Sequence, residues 1–185
     1  MPRSISGIGG SPPGDQDRTT GAAHRLAAAH IEPPPITEAL SAHCACIAAS
    51  FRRWIGRDLI DAPVADHDLV ARLFDAPFAL LAHGTEADPM LTYGNRMALT
   101  LWETTWDRFT RMPSRLTAEP QARDERARVL AGVTRRGYVE NYRGVRVSQT
   151  GRRFHIERAV VWVLVDPSGR AVGQAAMVDT WTDLG

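Results

Sequence analysis

Three side chains able to exchange protons lie close together in this chain: His83, Glu86 and Asp88. An imidazole beside two carboxylates is equipment for general acid–base chemistry. The same stretch, His83-Gly84-Thr85-Glu86-Ala87-Asp88-Pro89, is also what a tight turn requires, with Asp and Thr next to Gly and Pro. No partner nucleophile or metal set accompanies the trio, so a turn is the favoured reading. An enzyme on an α+β cone, using His83 with Glu86 or Asp88, is kept as the alternative. A second group, His43, Cys44 and Cys46, offers three soft donors within about one helical turn. A structural zinc site wants four converging ligands, and no fourth follows at zinc-finger spacing, so no metal is expected.

Arginine supplies the next candidates. The chain contains no lysine, so all 22 basic residues are arginine, each able to grip a carboxylate or phosphate in a planar fork. This fits a GC-rich genome. Strict alternation along 154–164 puts Phe154, Ile156, Val160, Trp162 and Leu164 on one face, with Arg158 interrupting them. A guanidinium among core residues must find an acceptor. It either meets an anionic ligand in a cavity or pairs with Glu86, Asp88, Glu103 or Glu119, and the ion pair is favoured; a bulge would instead expose it. Arg115 and Glu119, in the proline-bounded run 113–120, line a pocket mouth or form a surface salt bridge. Asn95 follows Gly94 and is placed to cap a helix rather than to hold a ligand. Trp102, Trp106 and Trp162 could wall a pocket for a planar or apolar ligand, or simply fill a core.

These residues are positioned by a legible series of elements. Residues 1–35 read as a Pro/Gly-rich disordered tail, with Ala22–His30 a possible short helix and Pro33-Pro34-Pro35 as punctuation. The domain runs from 36 to 185, with N-terminal helices over 37–75 and a sheet core over 76–182. Thr37 can cap a helix in which Leu40, Cys44, Ile47, Phe51 and Trp54 form one apolar seam that Gly56 ends. That seam packs on its own domain or, through Leu40, Ile47, Phe51 and Trp54, on a second copy; two heptads are too few for a coiled coil. A short helix follows over Asp66–Phe74, then strands at Pro77–His83 and Met90–Tyr93. Short helices follow at Asn95–Trp102 and Trp106–Arg111, and Pro120 opens a longer helix closed by Arg135, Arg136 and Gly137. Tyr142–Gln149, Arg153–Val165 and Arg170–Trp181 form an antiparallel meander, its last connection the type I turn Asp166-Pro167-Ser168-Gly169. The expected fold is α+β: a five-stranded antiparallel sheet in the element order of a PAS domain, with helices on one face.

The runs His83–Pro89, Tyr93-Gly94-Asn95, Leu101-Trp102-Glu103, Pro113–Pro120 and Gly151-Arg152-Arg153-Phe154 resemble the MEKHLA domain family, over roughly Ser41 to Trp181. That PAS-related family occurs as free-standing bacterial proteins and at the C-terminus of plant homeodomain–leucine-zipper transcription factors. The resemblance implies a sensory or regulatory interaction module that binds a small ligand, a protein partner, or both. Together with strand register it nominates His83, Tyr93, Asn95, Trp102, Arg115, Arg158, Trp162 and Gln174 as pocket residues; no cofactor is named. The stretch 95–116 lacks the cysteine on which light-oxygen-voltage photoreceptors form a flavin adduct.

Bulk properties exclude little else. A net charge of +1, and arginines that gather no further than short pairs such as Arg135-Arg136 and Arg152-Arg153, give no nucleic-acid footprint. No run reaches the ~18–20 apolar residues of a membrane span. With no secretory signal and no disulfide framework, the expected address is cytoplasmic.

Overall fold

The computed structural model describes residues 31–60 and 66–185; most of the expected tail and its helix lie outside them. Helix α1 (Glu38–Ile55) begins where the Thr37 hydroxyl accepts a hydrogen bond from the Leu40 N–H at 3.1 Å. It stops at Gly56, whose φ of 80° needs a residue without a Cβ. Helix α2 (Asp66–Phe74), strands β1 (Ala79–His83) and β2 (Leu91–Gly94), and the short helices α3 (Arg96–Leu101) and α4 (Trp106–Phe109) follow. Pro120 starts a 3-10 turn (Pro120–Ala122) rather than the long helix itself, and α5 runs Arg123–Arg136. The meander is β3 (Tyr138–Val147), β4 (Arg153–Val165) and β5 (Ala171–Asp183); β3 begins at Tyr138, earlier than its sequence suggests.

The sheet is five-stranded and antiparallel, in the order β2-β1-β5-β4-β3. Helices α3, α4 and α5 cover one face, as expected. Leu81, Phe154, Ile156, Ala159 and Val178 meet Leu99, Leu101, Trp102 and Phe109 there, and Val161 and Val163 meet Val133 of α5. Helices α1 and α2 take the opposite, outer face, where Cys44, Ile47 and Phe51 pack on Leu80, Trp162, Leu164, Ala175 and Met177. The α1 seam is therefore occupied by the chain's own sheet. Ile47 and Phe51 are fully buried, and only Leu40 and Trp54 keep partial exposure, so the seam is no free dimer surface. Apolar burial favours the nearest apolar sheet, and here that sheet is connected to the helix by its own chain.

Register on β4 corrects the simple alternation. The pairing with β5 is irregular between Ile156 and Ala159: Ile156 faces Trp181 and Ala159 faces Val178, three steps on each strand, with Arg158 displaced onto Thr180, so the alternation breaks here on both strands. Phe154 and Ile156 face inward, and after the break Ala159, Val161 and Val163 take over that face. Trp162 and Leu164 then turn outward, beneath α1. Arg158 is carried to the surface, with its side chain 61% exposed and 3.7 Å from Asp179, and points into no cavity.

Candidate functional site

Between the inner face and α5 lies a cavity of about 40 Å³. At the ~10–15 Å³ that one water needs, it holds a few waters or a small organic molecule. Its apolar wall is Leu81, Ile156, Ala159, Val161, Ala176 and Val178. Its polar lining is His83, Trp102, Thr117, Arg126, Tyr142, Arg146 and Gln174.

Each polar residue is aimed by local backbone. His83 ends β1 opposite Gln174 of β5, and β5 can come this close because residue 173 is glycine: a Cβ there would lie 2.2 Å from the His83 carbonyl oxygen. The register of β3 slips between Val139 and Tyr142, with Asn141 at φ 57°, and slips again before Gly144. These irregularities turn Tyr142 and Arg146 toward α5. Arg126 and Leu130 share the sheet-facing side of α5 at i and i+4. Helix and sheet are tied by Gln174, whose amide nitrogen donates to the Leu130 carbonyl (3.0 Å) and the Thr134 hydroxyl (2.8 Å).

The lining is poorly satisfied. His83 Nε2, Trp102 Nε1 and Gln174 Oε1 are buried without a hydrogen-bond partner, whereas buried polar atoms are normally paired. His83 Nδ1 is 2.8 Å from the Gly84 carbonyl oxygen and so carries the proton; burial, above all, holds the imidazole below its ordinary pKa and hence neutral near pH 7. Arg146 is buried, donates to the Val145 carbonyl and the Tyr142 hydroxyl (2.7 Å each), and lies over the Tyr142 ring. Arg126 makes no hydrogen bond or ion pair among the described residues. Burial first, and then the charge of Arg146, push its pKa down to about 10. No aspartate or glutamate lines the cavity. On its open side His83, Arg126, Leu130 and Gln174 also border a surface groove of about 610 Å³, so these four separate the cavity from solvent.

Of the nominated residues, His83, Trp102 and Gln174 meet in this cavity. Arg115 borders the outer groove and is paired with Asp88 at 3.0 Å, while Glu119 holds Arg153. Asn95 is wholly structural. Its Oδ1 accepts from Leu80 N and Ala98 N, and its Nδ2 donates to the Leu73 and Phe78 carbonyls, so it caps α3 and pins β1 and α2 to it. Tyr93 and Trp162 belong to the outer core, Tyr93 edge-on to Trp106 and Trp162 edge-on to Phe51. Glu86 and Asp88 are exposed on the turn, while His83 faces inward and offers Nε2 to no carboxylate. Cys44 packs in the outer core, its thiol pushed up to about 12 by burial, while Cys46 donates to the Val165 carbonyl and His43 meets Thr92.

Arg126, Tyr142 and Arg146 escaped the sequence reading. The signal for Arg126 was a lone arginine on the stripe Arg126-Leu130-Val133, at i, i+4 and i+7. For Arg146 it was the alternation Tyr142-Gly144-Arg146, in which glycine clears room for a long side chain.

The sheet order, the helices on its inner face and the cavity between them define a PAS-like domain. Among solved structures, the PAS domain of a Colwellia psychrerythraea protein superposes with a TM-score of 0.52 at 15% identity, over 58% of this chain and 90% of that one. An RNA-binding light-oxygen-voltage receptor gives 0.52 at 17% identity, over 65% and 36%. These likenesses concern the fold alone. The MEKHLA domain model matches residues 41–183, and the chain belongs to that family. Homeobox-leucine zipper protein HOX29 of Oryza sativa subsp. indica is 29% identical over 146 residues, and its subsp. japonica counterpart 28% over 145. Each match covers 77% of this chain but 17% of the plant protein, so the chain spans about a sixth of these relatives' length. No helix among the described residues is long and apolar enough to cross a membrane.

Proposed function

We propose that this domain is a sensor that binds a small molecule in the cavity between the sheet and α5 and passes its occupancy to a regulatory partner, a second copy or another protein, in a bacterial cytoplasm. The observation that carries the reading is the set of three buried, unpartnered polar atoms, on His83, Trp102 and Gln174, bordering one cavity. A purely structural core would not gather orphaned polar groups around a void, because each costs about 1–3 kcal/mol unless something pairs with it. Output has a short route. Trp54, in the last turn of α1, donates its indole N–H to the Val163 carbonyl at 3.0 Å. The same indole lies against Gly137, the cap of α5, where a Cβ would come within 2.4 Å of the ring. A shift of α5 on ligand entry is thus felt by α1 without an intermediary.

Native mass spectrometry of the untagged full chain, beside Ala159→Leu, tests this. Bound mass that disappears on denaturation and is absent from Ala159→Leu is expected. Equal occupancy in both proteins would move the ligand elsewhere, and a fully apo chain whose stability no small molecule changes would overturn the reading.

A further inference from the structure

The polar lining of the cavity is sorted by chemistry. Toward β3 and α5 it presents donors. Arg126 has no acceptor among the described residues, and Arg146 uses two of its five N–H donors, on Val145 and Tyr142. Two guanidinium groups lining one small, largely buried space with no carboxylate repel each other until an anion arrives. Where β1 and β5 pair, the lining presents acceptors. The His83 Nδ1 proton is committed to the Gly84 carbonyl, which leaves the Nε2 lone pair open. The Gln174 amide nitrogen is committed to Leu130 and Thr134, which leaves Oε1 open. His83 and Gln174 are register partners, so the two vacant acceptors belong to adjacent positions.

Resting on the reading of this cavity as the ligand site, we propose that its ligand is a small 2-hydroxy acid. The carboxylate lies on Arg126 and Arg146, and the adjacent hydroxyl donates to His83 Nε2 or Gln174 Oε1. A guanidinium fork matches a carboxylate in geometry as well as charge. The second donor on the ligand is neutral, because an ammonium would add a third cation to a space that already holds two. The volume of about 40 Å³ sets the scale at a few heavy atoms. It lies far below the ~300–1,000 Å³ of drug-sized or cofactor sites.

The experiment is titration calorimetry on the full chain with racemic lactate, propionate, lactamide, alanine and inorganic phosphate, alongside thermal unfolding. Lactate is expected to bind, propionate about 10-fold more weakly for want of the hydroxyl, and lactamide about 100-fold more weakly for want of the charge. Arg126→Gln and Arg146→Gln should each cost about 10–100-fold in lactate affinity. In the absence of ligand Arg126→Gln should raise Tm by about 2–4 °C, because it removes a desolvated, self-repelling cation; an arginine held only for structure would lower Tm on removal. Arg146 also braces Tyr142, so Arg126→Gln decides the matter should Arg146→Gln fail to fold. Lactamide or alanine binding as tightly as lactate, phosphate alone binding, or lactate binding indifferent to Arg126→Gln would each overturn the assignment while leaving a ligand cavity in place. If neither these probes nor a set of neutral fragments of similar size binds, the ligand-site reading itself falls.

Discussion

The two faces of this sheet are made of the same strands and have opposite characters. Under α1 the outer face is filled: Phe51 stacks edge-on against Trp162 at 4.9 Å, the Trp162 indole N–H donates to the Ile47 carbonyl, and Ser50 accepts from Val165 N, although the Tyr93 hydroxyl there is buried without a hydrogen-bond partner. Under α5 the inner face holds a void, two arginines without carboxylates and three orphaned polar atoms. Buried polar groups are normally paired, and their unpaired members gather around the inner cavity more than on the outer face. The contrast thus separates the part of the domain that holds it together from the part that, on the proposed reading, responds.

The comparison can be broken most severely on the outer face. Phe51→Ala should destabilise by about 3–5 kcal/mol, because a fully buried ring is removed from a filled core. Urea unfolding would show it as a lowered midpoint at unchanged slope, and a loss under 1 kcal/mol would mean that α1 is not clamped to the sheet. Asn95→Ala follows, at about 2–4 kcal/mol, since it removes a helix cap and strands the Leu80 N–H and the Leu73 and Phe78 carbonyls. Amide exchange at α3 and β1 should quicken in parallel.

A smaller effect lies in pH. His83 faces the Gly84 carbonyl and Arg126, with Glu86 nearby, and its folded pKa is held below 6.5, chiefly by burial. His43, half-buried beside Tyr93 and hydrogen-bonded to Thr92, is depressed by its partial burial. A depressed folded pKa means that the unfolded chain binds more protons as pH drops below about 6.5. Stability is therefore undiminished above that value and declines on acidification until the folded pKa is reached. Replacing both histidines with glutamine should flatten this stretch of the stability–pH curve; an unchanged slope there would contradict it. The smallest effect is Arg158→Ala, within about 0.5 kcal/mol, because the Asp179 pair is exposed on both sides. A larger loss by thermal unfolding would reinstate Arg158 as part of the core.

Much of the fold was readable from the chain because its signals are local. Thr37 and Gly56 bound α1, Asn95 caps α3, Arg135-Arg136-Gly137 closes α5, and the Asp166–Gly169 turn fixes the last hairpin. What alternation could not supply was the irregularity of the strands. Simple alternation places Arg158 and Trp162 on the inner face; the irregular pairing at Arg158 reverses parity between Ile156 and Ala159, and nothing in Glu157-Arg158-Ala159 announces it. The bulges of β3 hid Tyr142 and Arg146 in the same way. Whether α1's seam faced a second copy or its own sheet was equally beyond the pattern, since both bury the same stripe. Of the residues that line the cavity, His83, Trp102 and Gln174 are among those the sequence nominates, and Arg126 and Arg146 are not.

The break in alternation on β4 has a consequence for how such a domain can diversify. A regular strand has a reading frame of two, so every inward position dictates which of its neighbours point outward, along its whole length. The irregular pairing at Arg158 acts as a frameshift that decouples the ends. Phe154 and Ile156 can vary with the α3 side of the cavity while Trp162 and Leu164, of the same parity, stay matched to α1. The inner end of β4 can therefore change with the cavity while its outer end keeps its match to α1, and substitution at the break should be tolerated more readily than an insertion or deletion on β4 alone, which would shift its register against β5.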